Sequence, residues 1–69
     1  MKLADLFLTA RHLKRKTLRD LEDETGLTNA YISQLETGKV KSPGWFVVLK
    51  LAKALEIDIE LLLKCEPEE

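Results

Sequence analysis

Few of the 69 residues can make or break bonds. The chain has one histidine, His12, one cysteine, Cys65, and no glycine-rich loop, so no set of nucleophile, general base and oxyanion donors can be assembled. A lone cysteine forms no internal disulfide, and a metal site would need ligands from elsewhere. The expectation is a protein that is no enzyme and uses neither cofactor nor metal. His12 reads as a surface helix residue, and Cys65 as an inert, half-exposed thiol with only Lys64 beside it to lower its pKa. The sequence offers recognition chemistry instead. In TGLTNAYISQLETGKV, residues 25–40, Asn29, Ala30, Ser33 and Gln34 share one side of a short helical run while Ile32 and Leu35 occupy the other. Two amides, a hydroxyl and a methyl group discriminate by hydrogen-bond pattern and shape.

Such a run needs a scaffold, and the apolar spacing supplies one. Leu3, Leu6, Phe7, Ala10 and Leu13 recur at three-and-four spacing, which predicts a first helix over 2–14. Thr17 is an N-cap candidate with Asp20 three residues on, and the helix that begins at Leu18 stops at Thr25-Gly26, where glycine can take a left-handed backbone. Thr28 caps the third helix, which Thr37-Gly38 closes. Ser42-Pro43 opens a fourth, since proline at a first helical position loses no hydrogen bond; Trp45, Val48, Leu49, Ala52 and Leu55 are its expected buried face. Ile57, Ile59, Leu62 and Leu63 around the cap Asp58 predict a short fifth. The class is all-α: a compact five-helix domain over residues 1–64, then an acidic tail over 65–69.

With 45% hydrophobic residues, three glycines and two prolines, the composition suits a compact helical domain and argues against a disordered or fibrous chain. A chain this short buries only about 60% of its unfolded surface, so stability is marginal and a partner or dimer is plausible. No apolar run nears the roughly 18 residues of a membrane span, and the N-terminus has no signal-peptide pattern, so a cytoplasmic protein without membrane contact is expected. The net charge of −1 hides a segregation. Residues 11–53 hold nine Lys or Arg against five Asp or Glu, and residues 54–69 hold one Lys against six acids. RHLKRKTLR, residues 11–19, concentrates five of the positive charges.

A turn of three or four residues containing glycine sets two short helices across one another at a large angle, which is helix-turn-helix geometry. A helix with an apolar back and a short polar front can then enter the DNA major groove, about 12 Å wide. At this point the sequence resembles the phage-repressor-like helix-turn-helix proteins of the Cro/repressor or XRE type. The matching residues are Arg11; Thr17-Leu18-Arg19-Asp20-Leu21; Gly26-Leu27-Thr28; Tyr31-Ile32-Ser33-Gln34-Leu35-Glu36; Gly38-Lys39; Ser42-Pro43; and LKLAKAL, residues 49–55. The resemblance covers about residues 3–63. It implies a five-helix, lambda-repressor-like domain that binds double-stranded DNA as a transcriptional regulator, usually as a two-fold homodimer.

Carried over by residue, the resemblance places Asn29, Ala30, Ser33 and Gln34 at base edges, with Tyr31 near a base or a phosphate. Asn and Gln can bond bidentately to adenine and the Ala30 methyl group can contact thymine, so a half-site containing A and T is expected. Thr17, Arg19, Thr28, Lys39, Lys41 and Ser42 would hold phosphates, with Arg15 and Lys16 adding longer-range attraction. The resemblance also pairs Arg11 with Glu36 as a partly buried ion pair. Three positions depart from the family pattern. Leu18 stands where many members carry a phosphate-binding Gln, Glu22 replaces a usual Ala, and Lys16 replaces a usual apolar residue. Glu22 fits only if its stem lies flat and its carboxylate reaches solvent or an Arg. Phe46, Val47, Leu6 and Leu8 are apolar where the family tends to be polar, which predicts a surface for a second copy or another protein. Ile57, Ile59 and Leu62 form the competing interface. A palindromic operator bound by a repressor dimer is the leading expectation, and an antitoxin-type module that binds a partner protein as well as DNA is the alternative.

Overall fold

A computed structural model describes residues 2–40 and 43–65 of the chain. Five α-helices lie within them: α1 (Leu3–Leu13), α2 (Leu18–Thr25), α3 (Asn29–Glu36), α4 (Trp45–Leu55) and α5 (Ile59–Leu63). Each of α2, α3 and α5 begins at a side-chain cap. Thr17 Oγ1 accepts from the Asp20 amide while Asp20 accepts from the Thr17 amide, a reciprocal capping box. Thr28 accepts from the Tyr31 amide and Asp58 from the Glu60 amide. Caps of this kind satisfy backbone donors that the first turn of a helix leaves without partners.

The helices meet around one core. Leu6 and Phe7 come from α1, Leu21 from α2, Ile32 and Leu35 from α3, Val48, Leu51, Ala52 and Leu55 from α4, and Leu62 from α5. The α2–α3, α1–α3, α2–α4 and α1–α4 pairs make the main contacts. Three residues expected on buried faces, Trp45, Leu49 and Leu13, are exposed. Trp45 is 57% exposed and Leu49 39%, and Leu51, at 1%, lies in the core. Both sets of positions satisfy three-and-four spacing, but the stripe through Val48, Leu51, Ala52 and Leu55 leaves Leu49 roughly 100° off axis at 3.6 residues per turn. Leu13 lies at the end of α1, and Leu6 is buried, as helical spacing placed it and against the surface position drawn from the resemblance. Leu8 is half-buried.

Four helix ends use a left-handed residue: Gly26 after α2 (φ 78°), Gly38 after α3 (φ 81°), Arg15 after α1 (φ 56°) and Glu56 after α4 (φ 56°). At α1, α3 and α4 the backbone closes with the paired bonds of a Schellman motif. Lys16 donates to Arg11 O at 3.1 Å, Lys39 to Gln34 O at 2.9 Å and Ile57 to Ala52 O at 2.8 Å. Side chains link the α1 and α4 ends. Lys14 Nζ lies 3.1 Å from Glu56, and Lys16 Nζ lies 2.6 Å from Glu24 and donates to Ala54 O at 3.0 Å. No helix among the described residues is long and apolar enough to cross a membrane.

Candidate nucleic-acid interface

The turn between α2 and α3 is fixed by Thr25 as much as by Gly26. Thr25 Oγ1 donates to Leu21 O at 2.7 Å and accepts from the Leu27 amide at 3.2 Å, and the side chain is buried. Gly26 donates to Glu22 O at 2.8 Å. A Cβ at Gly26 would meet nothing within 4 Å, so the glycine answers to backbone conformation alone. Thr28 then starts α3 at once, and the two helices are joined by three residues.

Helix α3 is divided lengthwise. Ile32 and Leu35 are 1% and 3% exposed, and Glu36 is buried beside them. Asn29, Ala30 and Gln34 are exposed, and Ser33 is half-buried. Tyr31 is half-buried and rests against the core, so only part of its ring faces outward. Below this surface Arg11 grips Glu36. Arg11 Nε donates to Oε2 at 2.7 Å and Nη2 to Oε1 at 3.0 Å, a two-pronged charge-assisted contact. Arg11 Nη1 also donates to Lys16 O at 2.9 Å, so one guanidinium ties the end of α1 to the end of α3.

The exposed Thr17 and Arg19 stand at the start of α2, Thr28 at the start of α3 and the exposed Lys39 just beyond its end. Lys41 and Ser42, also expected at phosphates, lie outside the described residues. The Asp20 carboxyl sits below its ordinary value of 3.8, chiefly because the Thr17 backbone and then its side chain bond to the ionised form. Of the five cations in residues 11–19, Arg11, Lys14 and Lys16 are engaged internally. Lys16 therefore supplies an internal bond where long-range attraction was expected, because α2 offers it the Glu24 carboxylate and the end of α4 the Ala54 carbonyl. Arg15, Arg19 and Lys39 have no ion-pair partner among the described residues. Glu22 is half-buried, and its Oε1 accepts from Asn29 Nδ2 at 3.5 Å, so its carboxylate meets an amide in place of an arginine.

Among the expected interface residues, Phe46 is 78% exposed, while Val47 and Ile57 are half-buried against the core. Ile59 is exposed, but Leu62 belongs to the core. Trp45, Leu49, Leu61 and Leu63 add exposed apolar surface that spacing alone had assigned elsewhere or left out. Burial raises the Cys65 thiol above its ordinary pKa, and its Sγ–H donates to Leu61 O at 3.2 Å. No group of three or more candidate metal ligands occurs among the described residues.

A short polar helix set across a second one by a glycine turn, with its apolar back in the core, defines a helix-turn-helix DNA-binding domain. The sequence model of the helix-turn-helix family matches residues 9–62, and the chain belongs to that family, in its Cro/repressor or XRE form. It is a DNA-binding transcription regulator of the XRE type. Comparison with curated proteins and with solved structures gave no match.

Proposed function

We propose that this regulator is a repressor that binds a palindromic operator as a homodimer, each copy laying α3 in the major groove. Asn29, Ala30, Ser33 and Gln34 read base edges, and the exposed edge of Tyr31 meets a base or a phosphate. Thr17, Arg19, Thr28, Lys39, Lys41 and Ser42 hold the backbone. The observation that carries this reading is the lengthwise division of α3: the exposed Asn29, Ala30 and Gln34 and the half-buried Ser33, all uncharged, on a helix whose back is Ile32 and Leu35. Uncharged groups read hydrogen-bond pattern, while Arg19 and Lys39 supply attraction that is independent of sequence. The exposed apolar side chains of α4 and α5 support self-association, because a monomer leaves Phe46, Ile59 and Leu63 in water.

Selection of bound sites from random DNA, followed by mobility shifts on the selected site, tests the reading. Two half-sites one helical turn apart and rich in A and T are expected. Asn29→Ala and Gln34→Ala should each weaken binding by about 1 to 3 kcal/mol at one base position, whereas Lys39→Ala should weaken all sequences alike and lower the salt slope by about one. Parent-like binding by both amide variants would remove the base-reading assignment. The exposed Trp45 and Phe46 also favour a second reading, an antitoxin-type module covered by a partner protein. A chain that sediments as a monomer while saturating a full operator would favour that reading over the homodimer.

A further inference from the structure

Glu22 is the residue in the interface whose presence the DNA contacts leave unaccounted for. Glu22 is half-buried as a residue, its carboxylate meets α3 at an exposed hydrogen bond, and no cation lies within ion-pair distance among the described residues. DNA is a polyanion, so a carboxylate here opposes phosphate attraction. Among the described residues its side chain makes one hydrogen bond, from Asn29 Nδ2 to Oε1 at 3.5 Å. Asn29 is the first residue of α3 and is exposed.

We infer that Glu22 is a specificity-determining residue that sets the orientation of the Asn29 amide and so selects which strand of the operator carries the adenine that Asn29 reads. This rests on the base-reading role proposed for Asn29. An ionised carboxylate has only acceptors, and an Asn amide has acceptors on one arm and two donors on the other. Turning Oδ1 toward Glu22 would set acceptor against acceptor, so Nδ2 faces α2 and Oδ1 faces away. One Nδ2 hydrogen is engaged by Glu22, which leaves the second hydrogen and Oδ1 for the groove. Adenine offers an acceptor at N7 and a donor at N6, and the Asn amide matches both. With donor and acceptor fixed in one order along the groove, the match occurs for adenine on one strand. An amide free to flip by 180° turns Nδ2 toward the place where the reversed pair presents thymine O4, an acceptor, and thymine is then accepted at that position as well. Electrostatics act in the same direction. The Glu22 charge lowers affinity for any phosphate backbone and is compensated only where Asn29 finds its base.

Site selection with the parent, Glu22→Gln and Glu22→Ala tests this. The glutamine variant keeps the side-chain volume, and its amide can present either oxygen or nitrogen to Asn29, so it removes the constraint without opening a void. In the parent, one column of each half-site should prefer adenine over thymine by about tenfold or more, the discrimination of one good bidentate contact. In both variants that preference should fall to near parity, while the column read by Gln34 stays unchanged and binding to unrelated DNA strengthens. A parent that selects no sequence overturns the base-reading role of Asn29, and this inference with it. A parental adenine preference that persists unchanged in both variants overturns the inference alone. An independent readout needs no DNA: hydrogen exchange at the Asn29 side-chain amide should be slower in the parent than in Glu22→Ala, and equal rates would also overturn it.

Discussion

At the ends of α2 and α3, the helices that carry the proposed recognition surface, the left-handed residue is a glycine; at the ends of α1 and α4 it is Arg15 and Glu56. A residue with a Cβ costs roughly 1 to 2 kcal/mol in that conformation. The reading unit avoids this cost because its linker is three residues long and Thr25 already fixes both sides of it. The far side accepts the cost and offsets it with cross-links: Lys14 to Glu56, and Lys16 to Glu24 and the Ala54 carbonyl. Precision in the reading unit comes from backbone conformation, and cohesion at the back comes from long charged side chains. Arg11, bonded to both Glu36 and the Lys16 carbonyl, joins the two regimes.

Breaking that joint should have the largest effect. Glu36→Gln leaves the Arg11 charge, 14% exposed, without its counterion, and a loss of about 3 to 5 kcal/mol is expected by thermal or urea unfolding. A variant that melts within a degree of the parent would mean the two regions do not depend on this pair. Next come the left-handed residues themselves, which should respond in opposite senses. Gly26→Ala should destabilise by about 1 to 2 kcal/mol from backbone strain alone, since space for the methyl group exists. Arg15→Gly should stabilise by up to about 1 kcal/mol, because relief of the strain exceeds the extra freedom glycine brings to the unfolded chain. Equal signs for the two would dissolve the contrast. The smallest effect is a pH dependence. The Asp20 carboxyl is lowered in the folded chain, so its contribution is complete above 3.8 and is lost as pH falls through the lowered value. The gap in melting temperature between the parent and Asp20→Asn should therefore narrow from pH 7 to pH 3.

The reading unit was legible because its signals are local and redundant. Thr17 with Asp20, Gly26, Thr28 and Gly38 each announce a helix end by residue type, and Ile32 and Leu35 mark one face. The Arg11 and Glu36 contact came from family resemblance, as no local rule links residues 25 apart. The back of the domain was not legible, since Arg15 and Glu56 are not residue types that mark a left-handed turn. The basic run of residues 11–19 looked like a surface for phosphates, but three of its five cations find partners within the fold. Sequence gives charge and leaves open what the charge faces. On α4, two apolar stripes fitted helical spacing equally well, and only packing chose Leu51 over Leu49. Thr25 is part of a stop signal by residue type, and its two hydrogen bonds across the turn depend on burial that composition does not reveal.

Helix α3 is eight residues long, and its two faces serve different masters: Ile32 and Leu35 help close the core, while Asn29 and Gln34 face outward. No intervening layer separates them, so the equilibrium that assembles the domain and the one that engages an operator are thermodynamically linked. Ligand at a hundred times its dissociation constant adds about 2.7 kcal/mol to the stability of a protein that binds it only when folded. For a domain this small, that is a large share of the total. Copies on an operator unfold less often than copies free in solution, and proteolysis, which acts on opened chains, removes the free pool first. If α3 engages an operator as proposed, occupancy of DNA would thereby lengthen the lifetime of the regulator as well as set its output.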